Sequence, residues 1–201
     1  ELLALTGPSG SGKTTLLRAV AGLIDVRCGE ILFDGKPRES FGWPQYRRCA
    51  VLFDQQPRLF DADVMANLEV PFRYRSARRC GFPEQRARKM LERLGIGECL
   101  NARSALRLSV GQQQRVNLVR GLLLEPRLVL LDEPTGALDE NAVADVEALV
   151  RDEADRRGMS AVIVIHDREQ ARRWCDRIYD IGAHSAATHR ATPGADHKRR
   201  S

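Results

Sequence analysis

The chain has 201 residues, 43% of them hydrophobic, which is enough for one buried core, yet no run approaches the roughly 18 apolar residues of a membrane-spanning helix. Its 32 Lys and Arg against 27 Asp and Glu leave a net charge of +5, and much of that excess sits in a tail where Arg190, Lys198, Arg199 and Arg200 face only Asp196. The near balance elsewhere argues against a nucleic-acid partner, and five scattered cysteines (Cys28, Cys49, Cys80, Cys99, Cys175) without a C-x-x-C argue against a disulfide framework or a zinc site.

The chain opens at Glu1, inside what reads as a strand over residues 1–6, so N-terminal strands are expected to be missing. Gly7-Pro8-Ser9-Gly10-Ser11-Gly12-Lys13-Thr14 follows, with Thr15 next. Then comes a helix over 13–23 with Leu16, Leu17, Val20 and Leu23 on one stripe. Gly29 to Phe33 predicts a strand that turns at Asp34-Gly35, the first arm of a short β-hairpin. Ala50 to Phe53 predicts another strand.

From Asp54 the texture becomes helical and arginine-rich, including a helix from Pro83 to Leu94 with Ala87, Met90, Leu91 and Leu94 inward. Arg73, Arg75, Arg78 and Arg79 form a basic cluster that reads as a solvated face. Leu128 to Leu131 and Ala161 to Ile165 are unbroken apolar runs, as expected of parallel strands covered on both faces. Between them Asp139 to Arg157 predicts a helix with Val143, Val146, Leu149 and Val150 inward, and Arg168 to Cys175 a short one after. Strands alternating with helices imply a doubly wound α/β core, with residues 54–121 inserted as a helical subdomain between core segments 1–53 and 122–182. Residues 183–201 read as a disordered polar tail; the spacing of His184, His189 and His197 there is not a ligand pattern.

Three segments carry chemistry. The glycine run fits G-x-x-x-x-G-K-[ST] between a strand and a helix: glycines let backbone N–H groups converge on a phosphate, Lys13 adds a charge, and Thr14 a hydroxyl for Mg²⁺. An ordinary glycine-rich turn is the plainer reading of that motif alone. Leu128 to Leu131 ends in Asp132-Glu133, two carboxylates where a buried strand emerges, suited to a hydrated metal and to a general base. Leu108-Ser109-Val110-Gly111-Gln112-Gln113-Gln114-Arg115 opens a helix that Ser109 would cap, leaving N–H groups for an anion.

In this order, and together with Ala137-Leu138-Asp139 and Ile165-His166-Asp167, these segments resemble the nucleotide-binding subunit of an ABC transporter over residues 2–182. The resemblance implies a P-loop NTPase fold, a mainly parallel RecA-like core with an inserted α-helical subdomain. It implies that Gly7, Pro8, Ser9, Gly10, Ser11, Gly12, Lys13, Thr14 and Thr15 bind ATP, that Thr14, Gln55 and Asp132 hold Mg²⁺, and that Glu133, His166 and Gln55 are catalytic. Gln56 is the neighbouring alternative to Gln55.

Family members work as head-to-tail homodimers, so Ser109, Gly111 and Gln112 of one copy would cover the ATP of the other, and Asp139 would sit in the loop between them. An integral membrane transporter subunit is the implied partner, which places the chain on the cytoplasmic face of the inner membrane. Arg58, Leu59, Phe60, Val64 and Leu68 either line a groove for that partner or pack the subdomain.

Val110 stands where the family has glycine, and valine resists positive φ. The stretches 55–75 and 116–143 look most like small bacterial subunits for iron or other metal export, with the lipoprotein-release and macrolide-efflux type close behind. A soluble ABC-type ATPase acting on nucleic acid or ribosomes is the reading from another class.

Overall fold

The computed structural model describes residues 1–74 and 81–182. The arginine cluster beyond Arg73 and the tail from Ala183 lie outside them. In chain order the elements are β1 (Leu2–Thr6), α1 (Lys13–Val20), β2 (Leu32–Phe33), β3 (Lys36–Pro37), α2 (Trp43–Cys49), β4 (Ala50–Phe53), α3 (Val64–Arg73), α4 (Glu84–Arg93), α5 (Val110–Leu122), β5 (Leu128–Asp132), α6 (Glu140–Arg157), β6 (Ser160–Val164), α7 (Arg168–Trp174) and β7 (Arg177–Asp180).

Five strands form one sheet in the order β4-β5-β6-β1-β7, every pairing parallel, and β2 pairs antiparallel with β3. Alternate residues of β5 feed opposite faces: Val129 and Leu131 join the larger core with Val116, Val119, Val146 and Val150, whereas Leu130 joins Leu5, Leu17 and Ala21 under α1. Cover on both faces explains the unbroken apolar runs. The larger core continues without a break into Val64, Leu68, Ala87, Leu91 and Leu94 of α3 and α4. Among the described residues no helix is long and apolar enough to cross a membrane.

The hairpin turns at Asp34 and Gly35, both at positive φ (51° and 72°), the two-residue turn whose twist matches antiparallel strands. Helix α1 departs from the expected pattern: it stops at Val20, and of the predicted stripe only Leu17 is buried, Leu16 and Leu23 being exposed. Distant groups end it. Tyr46 Oη donates to the Val20 carbonyl at 2.6 Å, Arg47 Nη2 to that of Gly22 at 2.8 Å, and Arg38 to that of Ala19. Gly22 sits at φ 69°, and a Cβ there would lie 2.4 Å from the Trp43 ring.

Pro83 precedes α4 rather than occupying its first turn, and Ala87, Met90, Leu91 and Leu94 are all buried as predicted. In α6, Val146, Leu149 and Val150 are buried and Val143 is half-buried. Val64 and Leu68 are fully buried, so they pack the helical block; Arg58 and Phe60 are exposed and Leu59 is half-buried. Glu153 of α6, 1% exposed, receives Arg86 of α4 at 2.7 Å, Arg157 at 3.0 Å and also Arg156, tying the inserted helices to the sheet layer.

Candidate active site

Because the sheet is parallel, β1, β4, β5 and β6 all deliver their C-terminal ends to one edge, the edge where open α/β sheets bind ligands. From β1 the chain enters the glycine loop, with Gly7, Gly10 and Gly12 at φ 145°, 77° and 93°. A Cβ at Gly10 or Gly12 would meet nothing within 4 Å, so the loop rims an open cradle. Ser11 Oγ is buried there without a hydrogen-bond partner among the described residues. Lys13, 7% exposed, donates from Nζ to the carbonyls of Gly7 at 2.9 Å and Pro8 at 3.0 Å, so its charge sits inside the loop. Open backbone, an unused hydroxyl and an enclosed ammonium fit a phosphate group.

The next residue carries the second feature: Thr14 Oγ1 donates to Asp132 Oδ2 at 2.8 Å. Asp132, at the end of β5, is 5% exposed. A hydroxyl and a carboxylate side by side are hard oxygen donors, the set that Mg²⁺ takes alongside waters and substrate phosphates.

Glu133 follows at φ 51°, a left-handed conformation costly for a residue with a Cβ. The turn directs its carboxylate between two partners. Gln55 Nε2, just past β4, donates to Oε2 at 2.9 Å, and His166 Nε2, just past β6, lies 2.6 Å from Oε1. Gln55, not Gln56, makes this contact.

The fourth feature is the start of α5. Ser109 Oγ accepts from the Gln112 amide at 3.2 Å while Gln112 Oε1 accepts from the Ser109 amide at 2.9 Å, a reciprocal cap. Val110 is the first helical residue, without positive φ and 57% exposed, so the valine is accommodated by ordinary helical backbone. Gly111 is buried against the loop after β5, where a Cβ would lie 2.9 Å from the Ala137 carbonyl oxygen. Asp139 caps α6 by accepting from the Ala142 amide at 3.0 Å, and that bond holds its carboxyl below the usual range.

Glycine loop, Thr14–Asp132 pair, Gln55–Glu133–His166 group and capped α5 thus lie in one ordered arrangement. The family model described as ABC transporter matches residues 1–136. The chain belongs to this family. Its ABC transporter relatives include the sulfate/thiosulfate import ATP-binding protein CysA of Xylella fastidiosa, 39% identical over 180 residues, which are 89% of this chain and 51% of that protein. The Fe(3+) ions import ATP-binding protein FbpC of Streptomyces coelicolor is 40% identical over 181 residues, 89% of this chain and 50% of that protein. The chain therefore spans about half the length of these curated relatives.

Among solved structures, the ATP-binding cassette MJ0796, a dimer in a post-hydrolysis state bound to ADP and Pi, superposes with a TM-score of 0.77 at 31% identity, over 90% of this chain and 80% of that one. The cbiO1 protein of Clostridium perfringens, part of the ABC transporter complex cbiONQ, gives 0.74 at 30% identity over 90% and 72%. The ABC ATPase fold expected from the sequence is the fold found.

The structure brings Gln55, Glu133 and His166 into contact and sets Asp132 against Thr14 just after the glycine loop, whereas Ser109, Gly111 and Gln112 make their polar contacts on α5 itself. Two polar residues of α5 escaped the sequence reading. Gln114 Nε2 donates to the Gln55 carbonyl at 3.1 Å, and Arg120 Nη2 to the Arg58 carbonyl at 2.7 Å. Apolar periodicity assigns such positions to solvent and carries no signal for a donor aimed at a neighbouring loop.

Proposed function

We propose that the chain is the ATP-hydrolysing subunit of an ABC import transporter. The observation that carries the reading is the Glu133 carboxylate, held on one oxygen by Gln55 and on the other by His166, one residue past the Asp132–Thr14 pair. The glycine loop and Lys13 bind the phosphates, with Thr15 beside them on α1; Thr14, Asp132 and Gln55 hold Mg²⁺, which on binding offsets phosphate charge. Glu133 accepts a proton from the attacking water through a carboxylate oxygen, and His166 and Gln55 fix that carboxylate's direction. Residues 1–53 and 122–182 form the core and 54–121 the helical subdomain.

Two copies pair head to tail, with Ser109, Gly111 and Gln112 of one covering the ATP of the other and Asp139 in the loop between them. The membrane subunit docks at the exposed end of the segment with Arg58 and Phe60, on the cytoplasmic face of the inner membrane. The relatives named above are import proteins for sulfate/thiosulfate and Fe(3+), which turns the direction from the export expected on two sequence stretches to import of a small inorganic ion.

The test is to express Glu133→Gln in the native host and capture it from detergent-solubilised membranes with ATP and Mg²⁺. A multi-span membrane protein in the mass spectrum supports the transporter reading. Ribosomes or nucleic acid alone would reject it.

A further inference from the structure

We propose that Gln114 and Arg120 are positioning residues, which hold the segment Gln55–Arg58 to α5 and so set Gln55 against Glu133; the consequence for catalysis rests on the ATPase reading above.

The segment lies between β4 and α3 with no regular structure, so its carbonyls find partners elsewhere or face solvent. Two of them meet donors from one helix: Gln114 at the Gln55 carbonyl, 3.1 Å, and Arg120 at the Arg58 carbonyl, 2.7 Å. The spacing matches. Six positions on an α-helix span about 9 Å, and three extended residues about 10 Å. Arg120 is itself fixed, because Asn117 Oδ1 accepts from the same Nη2 at 2.6 Å, and burial pushes its guanidinium below the usual range.

Gln114 shows that stability alone does not account for the arrangement. Its Oε1 is buried and unpartnered among the described residues, beside a cavity of about 20 Å³ lined by Asp54, Arg115 and Asn117 as well as by Phe53, Leu118 and Leu131. A buried acceptor without a donor is a cost that an apolar side chain of similar shape removes. The amide cannot be turned round to relieve it, since Oε1 would then face the Gln55 carbonyl oxygen. What the glutamine supplies is the N–H that reaches Gln55, whose own side chain donates to Glu133. Because Ser109 caps the same helix, the segment proposed to meet the partner's nucleotide and the grip on Gln55 belong to one helix.

The test compares Gln114→Met and Arg120→Met with the unaltered full-length protein. Tryptic cleavage after Arg58, read without nucleotide, should be several-fold faster in both variants, and cleavage after Arg88 unchanged. The melting temperature of Gln114→Met should not fall. With ATP, kcat should drop about tenfold at little-changed KM, as expected when a catalytic group is displaced but not removed. Adding Gln114→Met to Gln55→Ala should cost nothing further. Unchanged cleavage after Arg58, a general rise across the chain, or multiplying losses in the double variant would each overturn the proposal. An unaltered protein that does not hydrolyse ATP would reject the ATPase reading, and the cleavage comparison would still decide the clamp.

Discussion

His166 Nε2 and Glu133 Oε1 stand 2.6 Å apart although 33 residues separate them, because β5 and β6 are parallel neighbours that end side by side. Asp132 pairs in register with Val164, so the next residues of both strands turn out of the sheet at the same level. The contact follows from the register.

The first prediction concerns Glu133. Gln preserves its shape and can still face Gln55 and His166, but the amide cannot take a proton. Glu133→Gln should lower kcat by about 10²- to 10⁴-fold with ATP affinity retained. Single-turnover hydrolysis and nucleotide binding on the same preparation measure the two separately.

Lys13 has a structural part to play as well. Its two bonds to the carbonyls of Gly7 and Pro8 cross-brace a loop with three residues at positive φ. Lys13→Met should abolish detectable ATP binding and also cost about 1 kcal/mol of stability, because the carbonyls of half-buried Gly7 and exposed Pro8 lose a charged donor. Calorimetry without nucleotide isolates the second effect. A melting temperature identical to that of the unaltered protein would mean the loop holds its shape unaided.

How far the sequence reveals this site depends on what kind of contact is involved. Lys13, Thr14 and the Asp132-Glu133 pair are legible because each is fixed by its own strand, turn or helix end. The burial of Ala87, Met90, Leu91 and Leu94 is legible because helical spacing alone specifies it. Leu16 and Leu23 were misassigned because periodicity marks a stripe but not where a helix ends. That end is set by Tyr46, Arg47 and Arg38, donors from another element. Gln114 and Glu153 were missed for the same reason: polar residues whose partners lie on different elements leave no periodic trace.

Glu153 allows a prediction on stability. It is nearly inaccessible and shared by Arg86, Arg156 and Arg157, while Glu125 takes a second bond from Arg86 at 2.8 Å. Removing Glu153 takes away the buried acceptor that three guanidinium groups share and leaves Arg86 and Arg157 with Glu125 alone, so Glu153→Ala should cost about 3 kcal/mol. For a chain of this size that is a fall of roughly 6–12 °C in melting temperature. Arg86→Met should cost less, since Glu153 keeps two arginines. Equal losses would show that the link between α4 and α6, not the buried charge, dominates.

Acid sensitivity should follow two carboxylates. The Ala142 amide holds the Asp139 carboxyl below the usual range, and the Leu2 amide, at 2.7 Å, does the same for Asp176. A depressed folded value means the unfolded chain binds protons first. The stabilisation is therefore present above the ordinary carboxylate pKa of about 4 and is lost as pH falls through the lower folded values. Asp139→Asn keeps the cap without the titration, so its melting temperature should fall less than that of the unaltered protein between pH 5 and pH 3. Parallel curves would remove Asp139 from the account.

Cysteine reactivity provides the opposite sign. Burial pushes the Cys175 thiol up to about 11, whereas Cys28 is exposed. At pH 8.5 iodoacetamide should label Cys28 first and leave Cys175 unlabelled until the chain is unfolded, because the thiolate is the nucleophile. A raised folded value also means stability from this thiol is complete below the unfolded value of 9.0 and is lost as pH rises toward 11, since the unfolded chain releases its proton first. Replacing Cys175 with Ser, whose hydroxyl does not titrate in this range, should flatten the decline in melting temperature between pH 9 and pH 11. If Cys175 is alkylated as fast as Cys28 in the folded protein, the packing of α7 against β1 is looser than its buried Trp174 and Ala171 imply.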